Sequence, residues 1–383
     1  MPQIRDPEYI QVHKDPAHAT NQVSLVQLAA GELLLGFNEE RGPVHADSGQ
    51  SCLIKSADGG RTWDPASKRV VWPCTEHAGN WDCAFGQLAG GAILMHTRVC
   101  SFIDSGGAGG GDDPQALRSP TLRAERLKRQ TGYALLTSRD DGDTWSGPVE
   151  VNTFPITSAS LGRYACGNSG AGHVIELPDG VVLMPLCGTI SNNDTTGPVG
   201  ETGRSFLLRS DDGGGHWEYW STIAYDPAHI IHFHEPGVTR LRDGRLIALL
   251  RVSRRPGRYD NLWFACSEDD GASWSPPRRT NIWGYPADIT QLRDGRVLAV
   301  YGYRRPPWGV RGCVSADGVT WDAANEFVIR VGGAADPDVP FYWHIGYPSV
   351  AQTPDGTIVA AYHEYSDDRQ PVQFICCTRF HLD

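Results

Sequence analysis

The densest run of reactive side chains in the 383-residue chain is Ala228-His229-Ile-Ile-His232-Phe-His234-Glu235, with Arg251 at the far end of the hairpin that follows. Three histidines and a glutamate suggest a metal at first sight. On a strand, however, the period of two places His232 and His234 on one face and His229 on the other. A zinc site needs further ligands that this spacing does not supply, so no metal and no organic cofactor are expected. With His45, His96, His173 and His344, these residues read as polar groups lining a central pocket or bonding within the core. A histidine or tyrosine can also abstract a proton beside a uronate carboxylate. A second run, Gly346-Tyr347-Pro-Ser349 followed by Tyr362-His363-Glu364, brings phenols and a carboxylate to the two ends of another hairpin. Arginine, with its planar fork of donors, is the residue that pairs bidentately with a carboxylate. Arg251, Arg304, Arg305 and Arg311 all lie in the same half of the chain as these two runs.

The elements that must position these groups are repeated. Ser56-Ala-Asp58-Gly-Gly60-Arg-Thr62-Trp63 returns as Ser138 to Trp145, Ser210 to Trp217 and Ser267 to Trp274, and one residue shorter as Ser315 to Trp321. The pattern Ser-x-Asp-x-Gly-x-Thr/Ser-Trp describes a locked turn: an Asp that caps it, a Gly free to take positive φ, and a Trp that plugs it. Between the boxes run strand pairs broken by Gly31, Gly91, Gly180, Gly244, Gly295 and Gly356, hairpins of the Asp-Gly or Gly-Gly type. Five of these six hairpins precede a box, and the sixth precedes a closing strand, Phe374 to Phe380. Each unit therefore supplies four strands. Repetition at this period predicts an all-β fold, a six-bladed β-propeller with four-stranded antiparallel blades, as one domain over residues 1–383. The second unit is longer than the others. Its excess, residues 101–130, is Gly-rich and then rich in Arg and Leu, which predicts an inserted loop and a short helix over Pro120 to Gln130.

Bulk properties narrow the partners. With 34 basic and 45 acidic residues the formal net charge is −11, which argues against nucleic acid and against an anionic membrane surface. A local basic pocket for an anionic sugar remains compatible with that total. The N-terminal Met-Pro-Gln-Ile-Arg-Asp-Pro-Glu-Tyr carries no apolar run, and the ten Cys are scattered, so a cytoplasmic location is expected. Trp81, Trp283, Trp308 and Trp343 lie outside the boxes and suit either sugar stacking or packing between blades, the commoner use.

The boxes and hairpins together resemble the sialidase superfamily, and the resemblance covers nearly the whole chain. The box is specific for the scaffold and not for the reaction, since binding proteins and polysaccharide lyases share it. The resemblance implies a Tyr nucleophile activated by a Glu, an Asp acid/base, and three Arg that clamp a substrate carboxylate. Carried over by motif, Tyr347 is the nucleophile, with Tyr342 as the competing phenol, and Glu364 orients one of the clamp arginines. Glu235 is the base, Arg251 one clamp arginine, and Arg311 another, in competition with Arg304 and Arg305. Phe37-Asn-Glu-Glu-Arg41 followed by Asp47 resembles the family's Arg and its loop acid/base, with His45 and His234 beside the substrate. The departure is Asn21-Gln22-Val23-Ser24, where a sialidase has Arg-Ile-Pro-Ser. One bidentate contact is lost there. Unless Arg41 or an arginine of the insertion substitutes, a different acidic or even a neutral sugar comes into question. The function implied is exo-hydrolysis of a terminal acidic sugar with retention of configuration. A uronate polysaccharide lyase or a non-catalytic glycan-binding propeller are the alternatives.

Overall fold

In the computed structural model, the residues described are 2–43, 49–104, 126–153, 166–167, 172–188, 203–228, 230–254, 258–332, 345–366 and 372–383. Among them the chain is all-β apart from one 3-10 turn at Ala323–Asn325. Consecutive strands pair antiparallel in four-stranded units. Thr20–Gln27, Leu33–Glu40, Gly49–Ser56 and Asp64–Trp72 form one, and Tyr285–Gln291, Val297–Tyr303, Gly309–Ser315 and Glu326–Val331 another. The unit that starts at Ala78–Gln87 is joined to the first through a single pair, Gly49 with Asn80. Its second and third strands, Ile93–Asp104 and Arg126–Ser138, pair as far as Asp104 with Arg126. Residues 126–130, expected in a short helix, are therefore strand: the ladder beyond Cys100 satisfies their backbone, which a helix would leave without its partner strand. The rest of the expected insertion lies outside the described residues.

The box turns have the bonding their residue types predict. Asp58 accepts from Ser56 Oγ (2.9 Å), Thr62 N (2.8 Å) and Thr62 Oγ1 (2.7 Å), and Ser56 Oγ accepts from Gly60 N (2.9 Å). The same net recurs around Asp140 and Asp269. These hydrogen bonds to the charged form hold Asp140 at about 2. The box glycine does more than turn the chain. Gly60, at φ +84°, lies against Val359 of the last unit, and Gly142 against Leu34 and Leu53 of the first. Trp63 enters the core formed by Leu33, Leu35 and Ile54 with Val359, Ala361 and Ile375, and Trp217 the core of Leu94 with Leu186 and Phe206. Each box thus locks its own unit onto the preceding one.

A second device joins neighbours at the hairpins. Gln87 Oε1 accepts from Ala29 N (2.8 Å), Gln291 Oε1 from Arg242 N (2.9 Å) and Gln352 Oε1 from Arg293 N (2.8 Å). Each of these glutamines also donates to the carbonyl of its own hairpin glycine. This accounts for the Gln that opens the hairpin repeats. The ends of the chain meet in the last unit, where Ile4–His13 pairs with Gln373–Leu382 beside Ile358–Tyr365 and Gly346–Gln352. Arg379 is ion-paired with Glu8 across this seam. The N-terminal strand, absent from the predicted repeats, completes the last sheet.

First strands pack against one another from the fourth unit through the last to the first and second, so these strands converge. Five of them carry a bulge: between Asn21 and Ser24, Trp81 and Ala84, His234 and Gly237, Tyr285 and Ala287, and Gly346 and Ser349. Seven residues before each hairpin glycine stand Ser24, Ala84, His173, Gly237, Asp288 and Ser349. Four of these meet. His173 Nε2 lies 3.0 Å from Ser349 Oγ and 3.4 Å from Asp288 Oδ2, and its Nδ1 lies 2.7 Å from Phe85 O and 3.5 Å from Ser24 Oγ. Ser349 Oγ gives its proton to Asp288 Oδ2 (3.0 Å), so it accepts from Nε2; the Phe85 carbonyl also only accepts. This arrangement suits a protonated imidazole beside the Asp288 carboxylate. Burial opposes its charge, but Asp288 and the Phe85 carbonyl outweigh burial and raise its pKa. Gly237 fills the same layer because the next strand comes close: a Cβ there would sit 2.1 Å from the Ala287 carbonyl oxygen.

Two outcomes follow. Gly237→Ala should cost more than about 3 kcal/mol, since backbone must move, whereas Gly295→Ala, with open space but φ +98°, should cost about 1–2 kcal/mol; denaturant unfolding of both variants measures the difference. The His173 contribution is complete below the unfolded histidine value of about 6.5 and is lost as pH rises through the higher folded value. Thermal unfolding from pH 6 to 9 should show a falling midpoint in the wild type and a flatter profile in His173→Gln; equal slopes would contradict the ion pair.

Candidate functional site

One layer along the same strands from His173, nine residues before each hairpin glycine, the bulge presents a different set. It comprises Gln22, Asp82, Glu235, Pro286 and Tyr347 among the described residues. Gln22, Asp82, Glu235 and Tyr347 take φ of 52°, 62°, 39° and 46°. Positive φ at a bulky tyrosine is strained by roughly 1–3 kcal/mol and persists only where the surrounding packing enforces it. The bulge turns these side chains out of the strand's alternation. Seven residues after the glycine, on the adjoining strand, stand Asn38, Arg98, Cys187, Arg251, Gly302 and His363. The register pairs Trp81 with Arg98, His234 with Arg251 and Gly346 with His363, so each bulge side chain has a partner from its own hairpin.

Three predicted residues meet here. Tyr347 Oη donates to Glu235 Oε1 at 3.0 Å, while Arg251 Nη1 donates to Glu235 Oε2 at 2.6 Å and to Tyr347 Oη at 3.0 Å. Glu235 and Arg251 keep 13% and 17% of their side-chain surface exposed, enough to face a ligand. Burial, then the Glu235 charge, pushes the Tyr347 phenol well above its ordinary value. Burial also acts to raise Glu235, but Arg251 foremost, with Arg304, outweighs it and holds the carboxyl below its ordinary value. At rest the proton belongs to the phenol. Tyr347 also stacks on His363, with ring centroids 5.7 Å apart.

Arg304, named as a competitor of Arg311, is the arginine beside this group. Its guanidinium carbon lies 5.1 Å from the centre of the Tyr347 ring and 5.5 Å from that of Tyr285, and its Nε donates to Ile345 O (3.1 Å). Arg311 is not brought to Tyr347. It lies on the third strand of its sheet, ion-paired with Glu326 and packed 3.5 Å over the Tyr303 ring, with Tyr301 Oη also donating to Glu326 (2.7 Å). Glu364 accepts both Arg330 Nε and Nη2 at 3.1 Å and Tyr9 Oη at 2.5 Å, so it ties the last sheet, including its N-terminal strand, to the preceding one.

The remaining expectations divide. Asn21 is fully buried and donates to Glu40 Oε1 and Gln373 Oε1, both at 3.1 Å, where the resemblance implied a clamp arginine. Arg41 stands half-buried just beyond Leu33–Glu40. His234 lies 3.2 Å from Ser253 Oγ, stacks on His232 and is held at about 3 by burial and by Arg251, so it is neutral. Among the described residues no cluster of three His, Cys, Asp or Glu could hold a metal ion. Asp47, His45, Tyr342, His229 and His344 lie outside the described residues.

One pair escaped the sequence reading. Asp82 and Arg98, in the second unit, repeat the placement of Glu235 and Arg251 in the fourth: a bulge carboxylate at positive φ, ion-paired at 2.8 Å to the arginine of its own hairpin. Arg98 also stacks 4.2 Å over Trp81. The Asp82 charge acts on the Tyr347 phenol, and that of Glu235 on Arg98. The constant spacing from the hairpin glycine would have found both.

Comparison with known proteins agrees with the architecture. A protein from Dyadobacter fermentans of unknown function matches all of this chain and 99% of its own at 23% identity and a TM-score of 0.77. The intramolecular trans-sialidase of Ruminococcus gnavus matches 96% and 95% at 17% identity and 0.62, and the α-L-arabinanase of Penicillium chrysogenum 97% and 98% at 13% identity and 0.60. At these identities the likeness is one of fold, shared with glycoside hydrolases. No curated protein matches by sequence. A family model, the BNR repeat-like domain, matches residues 119–360. Spanning more than half of the chain, that match shows that the protein belongs to the BNR repeat-like domain family.

Proposed function

We propose that the protein is a retaining exo-glycoside hydrolase, built as a single six-bladed propeller, that removes a terminal acidic sugar. The observation that carries this reading is the three-way contact of Tyr347, Glu235 and Arg251, a phenol whose proton already points at a carboxylate. Tyr347 Oη attacks the anomeric carbon, the glycosidic C–O bond breaks, Glu235 takes the phenol proton, and Asp47 protonates the leaving oxygen. Water then attacks the tyrosyl-linked sugar, Asp47 takes its proton, and Glu235 returns one to the phenolate. The raised phenol and depressed carboxyl keep Tyr347 neutral until positive charge develops on the sugar ring; a neutral nucleophile also meets an anionic sugar without repulsion. Arg251 and Arg304 supply the cationic wall for a carboxylate, which favours an acidic over a neutral sugar.

A panel of chromogenic sialic-type and uronic-type glycosides tests the class. Turnover without an ultraviolet-absorbing unsaturated product is expected; such a product would mean elimination and therefore a lyase. Tyr347→Phe should lower kcat by about 10³-fold or more, and unchanged turnover would remove Tyr347 as nucleophile. Because Glu235 must be ionised, the acid limb of kcat/KM should lie below the ordinary glutamate value of about 4.3.

The two arginines give a second test. Arg304→Gln should raise KM for an acidic glycoside by about tenfold or more, the worth of one charge-assisted contact. Arg311→Gln, which loses its Glu326 pair and its packing over Tyr303, should leave KM within about threefold of wild type. The reverse order would restore Arg311 as the clamp.

A further inference from the structure

Beyond the His173 layer the converging strands open again. At their C-terminal ends lies a cavity of about 580 Å³ lined by Thr239, Thr290, His173, Asp288, Arg242 and Arg293 among others. The bulge residues Glu235 and Tyr347 lie at the other end of the same strands, four residues before Thr239 and three before Val350 respectively. The hydrogen-bonded cluster of His173, Ser349, Asp288 and Ser24 stands between, so this cavity is a separate compartment. Its volume admits a molecule of monosaccharide size.

The charge of the lining is unlike that of the protein. Against a total of −11, the lining brings Arg242, Arg293 and the imidazole of His173 against one carboxylate, Asp288. That carboxylate is already engaged. Its Oδ1 accepts from Ile289 N (2.8 Å), and its Oδ2 from Val350 N (2.8 Å), Ser349 Oγ and His173. The acids nearest the two arginines in sequence are engaged as well, Asp243 with Arg245 (2.7 Å) and Asp294 with Arg296 (2.6 Å). Arg242 and Arg293 occupy the same position of adjacent hairpins, two residues before the glycine, where other repeats have Ala29, Ala89, Pro178 and Pro354. The Arg242 guanidinium is fixed by donation to Leu292 O (2.7 Å) and Arg293 O (3.4 Å), and both backbones are held by the Gln291 and Gln352 bridges. Two neighbouring arginines on braced hairpins, at the mouth of a polar cavity, form a preorganised receptor for an oxyanion.

We propose that this second cavity binds a small sugar-sized molecule bearing an oxyanion, through Arg242 and Arg293, independently of the site at Tyr347. Calorimetric titration at low salt with D-glucuronate and with D-glucose 6-phosphate tests it, and separates a carboxylate from a phosphate ligand. At least one should bind the wild type, weaken as salt rises, and weaken about tenfold or more in Arg293→Gln and in Arg242→Gln/Arg293→Gln. Arg304→Gln, altered at the other end of the strands, should retain that binding. Arg293→Gln keeps the test informative should loss of the Arg242 bonds impair folding. Absence of binding by both probes at about 5 mM, wild-type affinity in Arg293→Gln, or loss of binding in Arg304→Gln would overturn the proposal.

Discussion

The bulge on each innermost strand is the constraint on which the rest of this protein depends. A regular strand would alternate its side chains between two faces and deliver every second one into a neighbouring sheet. One extra residue at positive φ breaks that alternation and turns Gln22, Asp82, Glu235 and Tyr347 out of it. The strain is tolerable because both sides of the bulge are held: the hairpin ladder on one side, and the His173 layer on the other.

That layer ties structure to chemistry. Ser349, two residues beyond Tyr347, accepts from Leu25 N (2.9 Å) and His173 and donates to Asp288, joining strands of four units in one hydrogen-bonded group. The strand that presents Tyr347 is thereby fixed relative to those that flank it. Positioning of this kind costs least when the scaffold is rigid before substrate arrives. The glutamine bridges and box glycines supply the same rigidity farther out, and the buried Glu364, bonded to Arg330 and Tyr9, secures the N-terminal strand.

The residues of the site also illustrate how one repeat position is diversified. A carboxylate followed on the next strand by an arginine occurs in two units, as Asp82 with Arg98 and Glu235 with Arg251. The same positions hold Gln22 with Asn38 and Tyr347 with His363 elsewhere. Pro286 and Gly302 leave the corresponding place in another unit without a polar side chain, and there Arg304 comes in from just beyond the strand end. Equivalent backbone positions thus supply a phenol, carboxylates, guanidiniums and amides on one scaffold.

The local sequence determined the turns, because each box and hairpin is stabilised by bonds within about eight residues, and an Asp, a Gly and a Trp at fixed spacing carry that information themselves. It also determined that Glu235 and Arg251 belong together, since a hairpin's two ends are fixed by its register, whereas Tyr347 lies on another hairpin and meets them only in the closed fold. Only the tertiary structure set Arg304 over the Tyr347 ring and paired Arg311 with Glu326 of an adjacent strand. It likewise gave Glu364 to Arg330 and Tyr9, because the N-terminal strand that brings Tyr9 pairs with residues more than 350 positions away. Charge partners in this protein are chosen by sheet neighbours, and sheet neighbours are set by closure of the whole chain, which local spacing does not encode.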